Sequence, residues 1–200
     1  MMGPVTVKHF AEPAIRESEI LRYAGCRGGD EATVALMRSC LDEARPQLTY
    51  RACARELCGT ELNFLTAPSH DMARYLSDCG SAILLSATVG LGLDRLIAKY
   101  GRVLPSRALM MQAIGAERVE ALCDAFCREV ETSKKTSLKP RFSPGYGDLP
   151  LETQKHIFAL LDCAKHIGLT LNDSFLMSPT KSVTAVVGVR KTDICDKTGI

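Results

Sequence analysis

No stretch of this 200-residue chain approaches the roughly 18 apolar residues a membrane-spanning helix needs, so no crossing of a bilayer is expected. The opening "MMGPVTVKHFAEPAIRESEILRY" lacks an apolar core and a small-residue cleavage site, which argues against secretion and for a cytoplasmic protein. Charge is nearly balanced, at +2, and the Lys and Arg residues are scattered. That removes the electrostatic case for nucleic acid. The densest basic patch, Lys134 and Lys135 with Lys139 and Arg141, reads as a solvated loop. The chain also lacks GxSxG, a phosphate-binding P-loop and GxGxxG; "GLG" at 90–92 has neither the third glycine nor the acidic follower of a dinucleotide site. Tryptophan is absent as well, and that excludes nothing.

Metal and nucleophile signatures are thin. The four histidines, His9, His70, His156 and His166, form no close ligand pair; His156 and His166 fall on one helical pattern but about three turns apart. Nine cysteines contain no CxxC. Two looser pairs, Cys53 with Cys58 and Cys123 with Cys127, have spacing that zinc tolerates, but each lies in a segment patterned like core. Buried, reduced thiols are the preferred reading. No residue qualifies as catalytic, and whether the protein is an enzyme in its own right is left open.

What the chain does contain is alternating helix and strand patterns without a strict βαβ rhythm. Glu17–Tyr23 is a short amphipathic segment. Asp30 caps a helix in which Val34, Met37 and Leu41 recur at helical spacing. "LTYRACAREL" and "TELNFLT" read as two strands around Gly59. Ser69 caps a short helix ending at Gly80, and "SAILLSATVG" is a buried strand. The helix "LGLDRLIAKYG" closes at Gly101, and Pro105 opens a long helix to about Glu131 that Gly115 can bend. A single helix over 152–167 ends at Gly168, followed by a short strand, a turn at Ser178-Pro179-Thr180 and a β-rich run. The expected fold is α+β, one domain over residues 1–200, with a mixed, mostly antiparallel sheet flanked by helices.

One segment resists the description of a plain linker: "RFSPGYGDLP", residues 141–150. Pro140 and Pro144 fix two φ angles, while Gly145 and Gly147 open conformations closed to other residues. The expected outcome is a stiff loop with backbone N–H and C=O groups facing outward. Arg141 adds a planar fork suited to a carboxylate, and Tyr146 a flat face with a hydroxyl. Asp124, on the preceding helix, can accept from an ammonium. The set suits a zwitterionic ligand, although from spacing alone a structural turn is the simpler reading.

The run "RFSPGYGDLPLETQKHIFALLD…IGLTLNDSFLMSPTKSVTAVVGV" resembles the S-adenosylmethionine-binding activation (reactivation) domain of cobalamin-dependent methionine synthase, in its free-standing bacterial form. "EILRYAGCRGG", "ATVGLGLDRLI" and "VEALCDAF" are similar to the same family, so the resemblance spans nearly the whole chain and is strongest from Arg141 to Val189. It implies an S-adenosylmethionine-binding core at about residues 105–190. Arg141 would hold the ligand carboxylate, and the main chain of Phe142, Ser143, Pro144, Gly145 and Tyr146 would line the adenosyl part. Asp124 would take the amine, where the fused enzyme has Glu. Met177, Lys181 and Ser182 would face the corrinoid.

The implied role is accessory. The protein would bind S-adenosylmethionine and dock on the cobalamin (vitamin B12) of methionine synthase, or of another corrinoid protein. A flavodoxin-like donor would supply the electron for reductive methylation. The alternative is a corrinoid-protein partner that has lost S-adenosylmethionine binding, and a third reading is a radical or transfer enzyme using another ligand in the same pocket. Two departures favour the first alternative: "PVTVKHFAEPAI" offers no alignable acidic contact, and the tyrosine pair expected after the M-x-P segment is absent. Only Cys195 stands where free-standing relatives carry a cysteine-rich tail, which implies a trimmed chain.

Overall fold

The apolar run at 79–88 becomes an inner strand of the main sheet. In the computed structural model, which describes residues 3–26 and 28–191, it lies between two antiparallel neighbours in a four-stranded sheet. The strands are β1 Thr6–Phe10, β2 Tyr50–Leu57, β3 Cys79–Thr88 and, at the end of the chain, β6 Ser182–Arg190; the order is β1-β2-β3-β6. β4 Thr170–Leu171 and β5 Met177–Ser178 form a separate small hairpin. The helices are α1 Glu17–Tyr23, α2 Glu31–Ala44, α3 Asn63–Thr66, α4 His70–Leu76, α5 Gly92–Val103, α6 Pro105–Lys134, α7 Thr153–Leu161 and α8 Cys163–Ile167. Cys195 and the other residues from Thr192 onward lie outside the described residues.

Side chains alternate between the two faces of a strand, and here both faces are covered. Ala52, Ala54, Ile83, Leu85, Ala87, Val187 and Val189 point into a core with α1, α2, α5 and α6. Cys53, Leu57, Ala82, Leu84 and Val186 point the other way, against α4, α7 and α8. This explains why 82–88 is apolar or small throughout. α6 is the long element, about 45 Å at 1.5 Å per residue. Gly115 lets α5 and the 178–182 turn approach it: a Cβ there would lie 2.6 Å from both Leu93 Cδ2 and Lys181 Cγ.

The free edge of β6 is occupied by the segment at 137–142. Arg190 N–H donates to Ser137 O (3.1 Å), Lys139 N–H to Gly188 O (2.8 Å), and Phe142 exchanges bonds with Val186 (2.9 and 2.7 Å). Between Lys139 and Phe142 the edge carries one residue too many, a bulge at Pro140, whose missing N–H cannot serve the ladder. Tyr75 fills the gap. Its hydroxyl accepts from Gly188 N–H (2.9 Å) and donates to Pro140 O (2.7 Å).

Several sequence expectations hold. Asp30 and Ser69 accept from Thr33 N–H (2.8 Å) and Met72 N–H (2.9 Å) as N-caps, Pro105 is the first residue of α6, and Gly168 closes α8 with φ +68°. Others are corrected. "TELNFLT" is no strand but a 3-10 turn, Gly59–Leu62, leading into α3. The Glu61 carboxylate caps the turn by accepting from Cys58 N–H at 3.1 Å, and Leu65, three residues after Leu62, is fully buried. The second strand of that neighbourhood is instead β1. The helix ahead of β3 ends at Leu76, so Gly80 is already strand, and α5 runs past Gly101 to Val103. The single helix at 152–167 is two, α7 and α8, broken at Asp162 with φ +45°.

Candidate functional site

α6 presents Glu117, Glu120 and Asp124 along one face, at spacings of three and four residues. The stripe meets three guanidinium groups, Arg118 of the same helix and Arg16 and Arg141 from elsewhere in the chain. Arg118, fully buried, donates to both Glu117 carboxylate oxygens (2.6 and 2.8 Å) and to the carbonyls of Pro13 (2.7 Å) and Ala14 (2.8 Å), fastening the 13–16 strap to the helix. Arg16 approaches Glu117 at 3.4 Å and Asp124 Oδ2 at 3.3 Å. Arg141 donates to Asp124 Oδ1 (2.7 Å) and Glu120 Oε2 (2.6 Å). Its side chain is only 22% exposed. Burial works against its charge, but Cys123, Asp124 and Glu120 outweigh that and leave its pKa raised.

The loop after Arg141 is held at both ends. Phe142 is tied to Val186, and its ring packs on Tyr75 (5.3 Å between centroids) and Tyr146 (6.4 Å). Asp148 caps α4, accepting from His70 N–H (2.8 Å), Asp71 N–H (3.1 Å) and the Ser69 hydroxyl. Within the loop, Gly145 N–H donates to Leu149 O (2.9 Å) and Tyr146 N–H to Ser143 O (3.1 Å). Gly145 and Gly147 take φ of +89° and +52°, the conformations their type permits. The expected row of outward backbone groups is therefore shorter than the sequence implied. Over residues 142–146, the Ser143 N–H and the Pro144 and Gly145 carbonyls remain without an intramolecular partner among the described residues.

Between α6 and this loop lies a cleft of about 460 Å³ lined by Glu120, Asp124, Pro140, Arg141, Ser143, Tyr146 and Val183. Four of the sequence-derived residues, Asp124 from α6 and Arg141, Ser143 and Tyr146 from the loop, thus line one cleft. Tyr146 is 63% exposed and presents its ring at the rim. Phe142 and Pro144 support the loop from within; Pro144 is buried. Glu120, Pro140 and Val183 were not anticipated.

The three residues expected to face a corrinoid are placed differently from one another. Ser182 is buried, donating to Pro179 O (2.7 Å) and lying 2.8 Å from Thr88 Oγ1, so its hydroxyl holds the turn. Met177 is half-buried against the α7–α8 core. Lys181 lies along Gly115 of α6, half-buried, and desolvation lowers its pKa. The neighbouring Thr180 is bound through its N–H (2.8 Å) and hydroxyl (2.6 Å) to Asp94. The acidic residue of "PVTVKHFAEPAI", Glu12, pairs with Arg45 at 2.8 Å.

Cys53 and Cys163 are buried near Ser86, Cys123 is buried on α6, and Cys58 is exposed. The eight described cysteines are free thiols. Among the described residues no three His, Cys, Asp or Glu side chains converge as a metal site, and no helix is long and apolar enough to cross a membrane.

This α+β arrangement, a four-stranded antiparallel sheet with helices on both faces, is shared with a known structure, "Crystal Structure of the MetH Reactivation Domain bound to AdoHcy". The TM-score is 0.68 at 16% identity, covering 94% of this chain and 78% of that one, a likeness of fold. The family of the vitamin B12 dependent methionine synthase activation domain matches residues 83–192, more than half of the chain, and the chain belongs to it. No curated protein matches.

Proposed function

We propose that the protein binds S-adenosylmethionine in the cleft between α6 and the 140–146 loop. It would present that ligand to the cobalamin of methionine synthase, or of another corrinoid protein, for reductive methylation with an electron from a flavodoxin-like donor. The observation that carries the reading is the cleft's charge pattern: the Arg141 fork opposite the Asp124 and Glu120 carboxylates, beside the Tyr146 ring. A ligand with a carboxylate and an ammonium on one carbon complements both signs. The cleft's size lies in the roughly 300–1,000 Å³ range of small-molecule sites.

When bound, the sulfonium supplies the methyl group; the protein's part is to bind and orient. Arg141 would trade its pairing with Asp124 and Glu120 for the ligand carboxylate, and Asp124 would turn one oxygen to the amine. Ser143 N–H and the Pro144 and Gly145 carbonyls are the free main-chain groups for the adenosyl part. No residue is assigned an acid–base role.

A second reading, a corrinoid-protein partner that has lost S-adenosylmethionine binding, is favoured by one observation: Arg141 is already neutralised by two carboxylates. Thermal denaturation with added S-adenosylmethionine separates the two. Native-state binding stabilises by about 2.7 kcal/mol at 100 times Kd. Arg141→Ala should weaken binding about ten- to hundredfold, with Arg141→Lys recovering part, since an ammonium lacks the fork. No shift at millimolar ligand would select the second reading.

A further inference from the structure

The Asp124 carboxylate has one oxygen on Arg141 and the other on Arg16. Arg16 does not line the cleft; it reaches Asp124 from the 13–16 strap, at the N-terminal cap of α1. It is also outside residues 83–192, the part of the chain that the family match covers. The strap is a fixed platform. Arg118 grips the Pro13 and Ala14 carbonyls, and the Arg16 backbone N–H donates to Glu117 Oε1 at 3.2 Å.

The pairing is asymmetric across the cleft. Glu120 has Arg141 as its ionic partner among the described residues, whereas Asp124 has two. If Arg141 swings onto a ligand carboxylate, Glu120 loses its counter-charge and Asp124 keeps one. A carboxylate held through Oδ2 retains its orientation with Oδ1 open to the cleft. One released from both guanidinium groups is free to rotate towards water. We infer that Arg16 is a positioning residue of the site, acting through Asp124 to keep that carboxylate turned to the cleft for the ammonium of an amino-acid-bearing ligand. This rests on the proposed S-adenosylmethionine reading and adds a residue supplied by the N-terminal strap.

The test is calorimetric titration with two probes: S-adenosylmethionine, which carries the amino-acid group, and 5′-methylthioadenosine, which lacks it. Arg16→Ala should weaken S-adenosylmethionine about two- to fivefold, the scale of one partly screened charge contact, and leave methylthioadenosine unchanged. Arg16→Lys should restore most of the loss. In an Asp124→Asn background, Arg16→Ala should cost nothing further, because the two act as one unit. The backbone bond to Glu117 survives the substitution, so melting of the unliganded protein should change little. An equal loss for both probes, an unchanged S-adenosylmethionine affinity, or full additivity with Asp124→Asn overturns the inference for Arg16 alone. A wild-type protein that binds no S-adenosylmethionine overturns the reading of the site itself, and Arg16's role with it.

Discussion

Replacing Tyr75 with Phe removes one oxygen and tests how the candidate site is fastened to the sheet. That oxygen connects Gly188 N–H and Pro140 O across the bulge that precedes Arg141. The ring stays and keeps its contact with Phe142, so the substitution deletes two hydrogen bonds with little change in packing. A partner left without a hydrogen bond costs about 1–3 kcal/mol when buried and less where water can reach. Gly188 N–H is part-buried and Pro140 O lies nearer solvent, so about 2 kcal/mol in total is expected. At this chain length that lowers Tm by about 4–8 °C.

The same hydroxyl gives the prediction a pH signature. Burial, the largest cause, pushes the Tyr75 pKa up to about 12, above the ordinary value of 10.0. A group with a raised folded-state pKa binds its proton more tightly in the native state. Its contribution is therefore complete below pH 10 and is lost as pH rises towards 12. Full burial would make the difference about 2.7 kcal/mol, and partial exposure reduces it to about 1–2 kcal/mol. Urea denaturation of both proteins from pH 8 to pH 11 is the assay. The advantage of wild type over Tyr75→Phe should be constant to pH 10 and then shrink. Equal stability at pH 8, or a difference that ignores pH, would refute the assigned role of the hydroxyl.

Two further outcomes follow from close contacts. Gly115→Ala should lower stability by about 1 kcal/mol in chemical denaturation. The helix-propensity gain of about 1 kcal/mol is outweighed by overpacking against Leu93 and Lys181, which costs about 1–3 kcal/mol. Lys181→Met should raise stability at pH 7. Desolvation depresses the Lys181 pKa in the folded state, so wild-type stability rises with pH between that lowered value and the unfolded one, and the variant's advantage should shrink over the same window.

Periodicity disclosed the large elements because burial dictates it. β3 is covered on both faces and reads as one apolar run; α2 is one-sided and shows its stripe. β1 was missed because it is a half-exposed edge strand in which Val7 and His9 carry little contrast. "TELNFLT" misled because Thr, Phe and Leu suit a strand, while the deciding Glu61 cap is a single side-chain contact. The break at Asp162 left the apolar spacing of Ile157, Leu161 and Ile167 intact, so pattern alone had no means of detecting it.

The site shows the same division between local and long-range information. Arg141 and Asp124 were legible as opposite charges near one loop, and Glu120 was within reach of the same reasoning, four residues from Asp124 on one helical face. Arg16 and Tyr75 were not, since their contacts join residues 108 and 65 positions apart. What spacing alone missed most is that the complementary groups bind each other. Half-buried charges left unpaired would cost stability, so cation and carboxylates close the cleft's electrostatics among themselves. A zwitterion entering the cleft therefore exchanges ion pairs and creates few new ones. On the proposed reading, its head group would contribute orientation and selection against uncharged analogues, and net affinity would come mainly from what an adenosyl part gains against Tyr146, Val183 and the free main-chain groups of Ser143, Pro144 and Gly145.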